Sequence, residues 1–161
     1  MNKLYSPWRI DYILREKEKG CIFCNKPADE NDEKHLILKR GLHSYIIMNL
    51  YPYNNAHLMV VPFRHVNDLT DLNDDEILEV FRMTKIAEIG LKKAYNPDGF
   101  NIGINIGKAA GAGISDHLHI HIVPRWNGDT NFITTIGETR VIPENMQVAF
   151  QKLKKALNDE D

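Results

Sequence analysis

An α+β fold with a mostly antiparallel sheet is predicted for this sequence. Three observations predict it: short apolar runs parted by turn residues in the first third, one long helical stripe in the middle, and two strictly alternating segments beyond it. Leu36–Lys39, Tyr45–Met48 and Leu58–Val61 are β-branched or apolar runs, separated by Gly41, by Tyr51-Pro52-Tyr53-Asn54-Asn55 and by Pro62, and they read as strands joined by tight turns. Asn73 can cap a helix, and Glu76 three residues on completes a capping box. Ile77, Val80, Phe81, Thr84, Ala87, Leu91, Ala94 and Tyr95 then recur every three or four residues, which predicts a helix over Asp74–Tyr95. Asn96-Pro97-Asp98-Gly99 ends it. The next segment alternates, with Phe100, Ile102, Ile104 and Ile106 on an apolar face and Asn101, Gly103 and Asn105 on a polar one. A glycine-rich loop, Gly107–Asp116, leads to His117-Leu118-His119-Ile120-His121, which alternates again. A last helix is predicted over residues 143–157, with Met146, Ala149, Phe150, Leu153 and Leu157 on one stripe. Three strands, a helix, two strands and a helix are not the regular βαβα order of a doubly wound sheet.

At 161 residues and 18.5 kDa the chain has the size of one domain, 1–161, with residues 1–30 as an N-terminal segment. No repeat, low-complexity tract or linker divides it, and the charge runs Arg15–Lys19 and Asn158–Asp161 read as solvated ends. Lys+Arg 20 against Asp+Glu 22 leaves no basic field that would announce a nucleic acid polymer, although a local pocket can still bind a small anion. The N-terminus lacks the apolar core of a signal peptide, and no segment approaches the ~20 apolar residues of a membrane span. A cytoplasmic protein with reduced thiols and no membrane partner is therefore expected.

On a strand, His117, His119 and His121 share one face, about 7 Å between neighbours, while Leu118, Ile120 and Ile122 take the other. Three readings are open: a half-exposed polar face, a zinc site built on His-x-His, or nucleophilic catalysis by neutral imidazole. If the two alternating strands pair through the glycine loop, imidazoles and amides meet on one surface, and Gly103 leaves room for a ligand near the backbone. The loop Gly107-Lys108-Ala109-Ala110-Gly111-Ala112-Gly113 could offer backbone N–H groups to phosphate oxygens; it is not a P-loop, because no Gly-Lys-Ser/Thr closes it. Cys21-Ile22-Phe23-Cys24 has metal-ligand spacing, and in a reducing compartment it suggests zinc or redox chemistry; two buried ordinary thiols is the plainer reading. Zinc would need two more ligands, for which histidines are the candidates.

His-Leu-His-Ile-His-Ile-Val, His117 to Val123, resembles the signature of the histidine triad family of nucleotide hydrolases and transferases. The likeness runs along nearly the whole chain: Asn49, His57 and Leu58-Met59-Val60-Val61-Pro62 resemble the family's nucleotide-binding first half. Pro124-Arg125-Trp126-Asn127-Gly128-Asp129-Thr130-Asn131-Phe132, with Tyr5-Ser6-Pro7-Trp8-Arg9, resembles its diadenosine tetraphosphate phosphorylase branch. The resemblance implies a five-stranded antiparallel sheet with two main helices and a homodimer whose sheet runs through both subunits. It makes His119 the nucleophile and His121 the phosphate ligand and leaving-group donor. Asn49 and His57 fall on the nucleotide and Asn105 on phosphate; apart from the resemblance, Lys108, Arg125 and the loop amides, those of Gly111 and Gly113 among them, are candidates for phosphate, although Lys108 and Arg125 read equally as solvent-exposed charges. One more residue stands between Asn105 and His117 than in several relatives. Relatives with Cys-x-x-Cys hold zinc through positions that here are Cys21, Cys24, His65 and His117, which would make His117 a structural anchor.

The reaction so implied is attack by neutral His119 on an α-phosphorus, expulsion of a nucleoside polyphosphate, and release of the nucleotide from His119 by water or inorganic phosphate. Imidazole suits it, with a pKa near ~6.5 that leaves it mostly unprotonated at neutral pH. Mg2+ or Mn2+ is expected to accompany the polyphosphate. For phosphate as acceptor, a second anion site built from Arg125, Lys108 and the loop amides is required. The alternatives on the same scaffold are a nucleoside phosphoramidase or mononucleotidyl hydrolase, and a nucleotide-binding regulatory protein without turnover. His35 and His43 are expected to stand outside the site.

Overall fold

The structure, a computed structural model, describes residues 20–137 and 139–158; the segment Tyr5–Arg9, the run Arg15–Lys19 and the last three residues lie outside them. Two short helices, α1 (Ile22–Ala28) and α2 (Asp32–His35), precede strands β1 (Ile37–Arg40), β2 (Ser44–Met48) and β3 (Leu58–Pro62). Helix α3 (Asp74–Tyr95), strands β4 (Gly99–Ile104) and β5 (Ile120–Arg125), a one-turn helix α4 (Phe132–Thr135) and helix α5 (Met146–Asn158) follow. The five strands form one sheet in the order β1-β2-β3-β5-β4, and every neighbouring pair is antiparallel.

The apolar runs of the first half are explained by burial on both sides of the sheet. Ile46 and Met48 of β2 face α3 and α5, together with Leu58, Val60, Leu91, Phe150 and Leu153, whereas Tyr45 and Ile47 face α1 with Phe23, Met59 and Val61. Strands buried on two faces read as continuous apolar runs. Helix α3 starts where the capping box placed it: the Glu76 amide donates to Asn73 Oδ1 and the Asn73 amide to Glu76 Oε2, both at 2.9 Å. It stops at Asn96, which adopts a left-handed conformation (φ 45°) and closes the last turn with a bond to the Lys92 carbonyl. No described helix is long and apolar enough to cross a membrane.

Three expectations shift. Helix α5 begins at Met146 rather than near Pro143, because Asn145 Oδ1 accepts the Gln147 amide and caps it there. Strand β4 ends at Ile104, and its expected apolar face is half open: Ile102 is 46% and Ile106 37% exposed. The reason is position, since α3 packs over β2, β3 and β5 while β4 is the sheet's edge. Regular pairing of β5 begins only at Ile120; before it, the Leu118 amide bonds to the Val66 carbonyl at 2.6 Å. The alternation survives this detour, with Leu118 packing beside Val66 and Leu72 and the three histidines on the α1 side.

Candidate active site and metal centre

His117 points its ring at α1. Its Nε2 lies 2.9 Å from the Pro62 carbonyl, and a carbonyl can only accept, so the proton is on Nε2 and the Nδ1 lone pair is free. That Nδ1 is 3.2 Å from Cys21 Sγ and 3.6 Å from Cys24 Sγ, and His65 Nδ1 is 3.4 Å from Cys24 Sγ. The four donor atoms all lie within 4.8 Å of one another. A tetrahedral zinc with ordinary bond lengths sets its ligand atoms about 3.3–3.8 Å apart, so the group fits such an ion, and the Pro62 carbonyl supplies the outer partner that metal-ligating histidines usually have. Both cysteines are free thiols and half-buried.

The same reasoning fixes the protons of the other histidines. His119 Nδ1 is 2.9 Å from the His117 carbonyl, so it donates, and Nε2 carries the lone pair. His57 Nδ1 receives the Tyr53 amide at 3.1 Å and the Asn49 side-chain amide at 3.2 Å; a backbone N–H can only donate, so the His57 proton is on Nε2. His57 Nε2–H then donates to His121 Nδ1 at 3.0 Å, which leaves the His121 proton on its own Nε2. His121 Nε2 is buried and has no hydrogen-bond partner among the described residues. The two rings that face the site are thus opposite in kind: His119 offers a lone pair and His121 an N–H.

All three rings are neutral near pH 7. Burial pushes His57 down to about 3, reinforced by His121 and His119, and pushes His121 down to about 4. Burial also lowers His119, against the opposing pull of its bond to the His117 carbonyl. Phe23, between the two cysteines, touches both the His117 ring (centroids 5.5 Å apart) and the His119 ring (5.1 Å). Tyr53 covers His57 and His121 at 4.7 and 5.3 Å. Sequence reasoning passed over both aromatics: Phe23 read as a spacer in the cysteine motif and Tyr53 as part of a turn.

The other sequence candidates are placed unequally. Gly103 pairs with His121, and a Cβ there would meet nothing within 4 Å, so the strand is open beside the histidine. Asn105 directly follows Ile104, the last residue of β4 and the partner of Ile120, so it leaves the sheet at the end nearest the histidines. Asn49 is half-buried, its Oδ1 accepting the Tyr51 amide at 2.9 Å. His57 is 1% exposed and meets the site through His121 rather than directly. In the glycine loop Lys108 is exposed, and the amides of Ala110 and Gly111 bond inward to the Gly107 and Lys108 carbonyls, so of the two glycines expected at phosphate the Gly111 amide is used by the turn while Gly113 makes no such bond among the described residues. Arg125 is not brought to the site. It stands six residues from His119, about 20 Å along a strand. Its guanidinium is held by Asp129 at 2.7 Å twice, by Asn101 Oδ1 at 2.6 Å and by Thr130. His35 pairs with Asp29, away from these rings.

An α+β sheet that sets a lone-pair imidazole and an N–H imidazole side by side, next to a Cys2His2 group, defines a class of histidine-based site. The model of the HIT domain matches residues 30–128, and the chain belongs to the HIT family. It is 41% identical over 152 residues to the AP-4-A phosphorylase of Mycobacterium tuberculosis, covering 89% of this chain and 78% of that one. A hypothetical histidine triad nucleotide-binding protein of Sulfolobus tokodaii superposes with a TM-score of 0.70 at 26% identity, covering 86% and 93% of the two chains. A zinc-bound histidine triad family protein of Mycobacterium smegmatis superposes with a TM-score of 0.68 at 28% identity over the same shares.

Proposed function

We propose that the chain breaks the phosphoanhydride of a dinucleoside polyphosphate by transferring the nucleotidyl group to His119 Nε2 and then to an acceptor. The observation that carries the proposal is the opposed tautomers of His119 and His121, read beside the likeness to a relative named AP-4-A phosphorylase. The His119 lone pair attacks the α-phosphorus, the bond to the bridging oxygen breaks, and the nucleoside polyphosphate departs. His121 Nε2–H donates a hydrogen bond to the charge that develops. Full proton transfer is unnecessary, because the departing terminal phosphate has a second pKa near ~6 and is a weak base at neutral pH. On this reading Gly103, Asn105 and the Gly113 amide would meet the phosphates bound beside His119, with Lys108 as the loop's exposed cation. Asn49 stands where a ribose would be met. Any Mg2+ or Mn2+ would be carried by the polyphosphate.

Cys21, Cys24, His65 and His117 would hold one zinc ion, whose contribution is to tie α1 to the His117 backbone that orients His119. The half-exposed free thiols suit a cytoplasmic protein. The open edge of β4, with Ile102 and Ile106 exposed, suits pairing with a second copy in a homodimer.

The test is incubation with diadenosine tetraphosphate and a divalent cation, with and without inorganic phosphate. A phosphorylase yields ADP and ATP when phosphate is present; a hydrolase yields AMP and ATP at a rate indifferent to phosphate. Faster turnover of adenosine phosphoramidates than of any dinucleoside polyphosphate would replace the reading with a phosphoramidase. Tight nucleotide binding without any turnover would leave a regulatory binding protein.

A further inference from the structure

We infer that the Tyr53 side chain is a movable gate over His121, which closes the histidine pair against water and swings aside when a phosphate oxygen enters. The inference rests on the proposed reaction only for what enters; the gate itself follows from geometry. His121 Nε2 is a hydrogen-bond donor buried to below 1 Å² with no partner among the described residues. A phosphate oxygen is about as large as a water molecule, so a nitrogen that water cannot touch cannot receive phosphate either until something moves. His121 lies between Met59 and Gly103 in the sheet, and the rings against it are those of His57, His119 and Tyr53. His57 and His119 are 1% and 4% exposed, whereas Tyr53 is 51% exposed. Burial holds the two histidines in place on every side. Tyr53 hangs from the irregular segment between β2 and β3, and its hydroxyl has no hydrogen-bond partner among the described residues. The backbone of that segment is tied separately, by the Tyr53 amide to His57 Nδ1 and the Tyr51 amide to Asn49 Oδ1. Rotation of the Tyr53 side chain therefore uncovers His121 without disturbing the bonds that fix its proton.

The cover has an electrostatic consequence. Burial is the largest cause holding His57 and His121 near 3 and 4. The titratable groups that press on them are His121 and His119 for His57 and His119 for His121; among the described residues no lysine, arginine or carboxylate contributes. Removing the ring admits water and releases both histidines toward the ordinary value near ~6.5.

Two measurements decide it. Ring-carbon NMR titration of the full chain should show no protonation of His57 or His121 down to about pH 5 in the wild type and in Tyr53→Phe. In Tyr53→Ala both midpoints should rise by at least about one pH unit, with kcat falling roughly tenfold and Tyr53→Phe restoring it. Midpoints that stay low in Tyr53→Ala overturn the gate. In the wild type, saturating AMP should abolish the nuclear Overhauser contacts between the Tyr53 ring and His121 while those between His57 and His121 persist; contacts that survive bound AMP also overturn it. If AMP does not bind, the nucleotide reading fails, and the Tyr53→Ala titration still decides whether the ring is the cover.

Discussion

Arg125→Ala separates a structural from a phosphate-binding arginine. Arg125 donates twice to Asp129, at 2.7 Å from Nε to Oδ2 and 2.7 Å from Nη2 to Oδ1, and once to Asn101 at 2.6 Å. Asp129 has a 10% exposed side chain and also receives the Asn54 side-chain amide at 2.7 Å and the Trp126 amide at 3.2 Å. Two charge-assisted bonds are each worth about 1.5–3 kcal/mol. The Arg125 side chain is 38% exposed, however, so water replaces part of what is lost, and Asp129 keeps three donors, from Asn54, Trp126 and Thr130. A net loss of about 2 kcal/mol follows, or roughly 4–8 °C in Tm for a chain of this length. Arg125 holds the Asp129 carboxyl well below the usual range, so the pair's contribution is present above about pH 4 and lost as the pH falls further. The variant should therefore be less stable at pH 7 and show a flatter loss of stability in acid. Urea unfolding at several pH values and initial rates against phosphate concentration test this, with kcat and the KM for phosphate expected within about threefold of wild type. A tenfold rise in that KM at unchanged stability would refute the structural role.

Chelation of zinc-loaded protein, or Cys24→Ala, should remove one equivalent of metal and lower Tm by several degrees before activity disappears, as read by metal analysis and calorimetry; an unchanged Tm counts against the anchor. Because burial lowers His57 and His121, the unfolded chain binds more protons than the native one below about pH 6.5; stability should fall as the pH drops from there to about 4, and His57→Gln should flatten that slope in denaturant titrations. Gly90→Ala would place a Cβ 2.5 Å from Leu157 Cδ2. The helix gains about 1 kcal/mol from alanine but overpacking costs about 1–3, so a net loss of up to about 2 kcal/mol is expected, and a stabilised variant would show that α5 yields freely.

The legible parts of the chain were those governed by local rules. The capping box of Asn73 and Glu76, the turn at Asn96–Gly99 and the doubly buried runs of β2 and β3 each state their structure within a few residues. The cysteine pair was readable as a candidate metal pair by its spacing and His65 by resemblance, and the fold brings Cys21 and Cys24 to His117 across 93 to 96 residues of sequence, with His65 beside them. What could not be read is set by tertiary position. The tautomer of His121 depends on a backbone amide at Tyr53, reached through His57. The remoteness of Arg125 follows from the strand running away from His119. The exposure of Ile102 follows from β4 lying at the sheet's edge. Helix α1, with Pro27 inside it and no periodic stripe, was hidden because its seven residues are held by contact with the sheet rather than by a pattern of their own.

On the proposed mechanism His119 Nε2 forms a covalent bond to the nucleotide and His121 does not. The direct measurement is rapid quench of the enzyme with diadenosine tetraphosphate labelled in the adenosine, without added phosphate, followed by peptide mass spectrometry under conditions that preserve phosphoramidates. An adenylyl group on His119, formed faster than turnover and missing in His119→Ala protein that still folds and still binds AMP, is the predicted result. A label on His121 or His117, or full turnover by His119→Ala, would show that His119 is not the nucleophile.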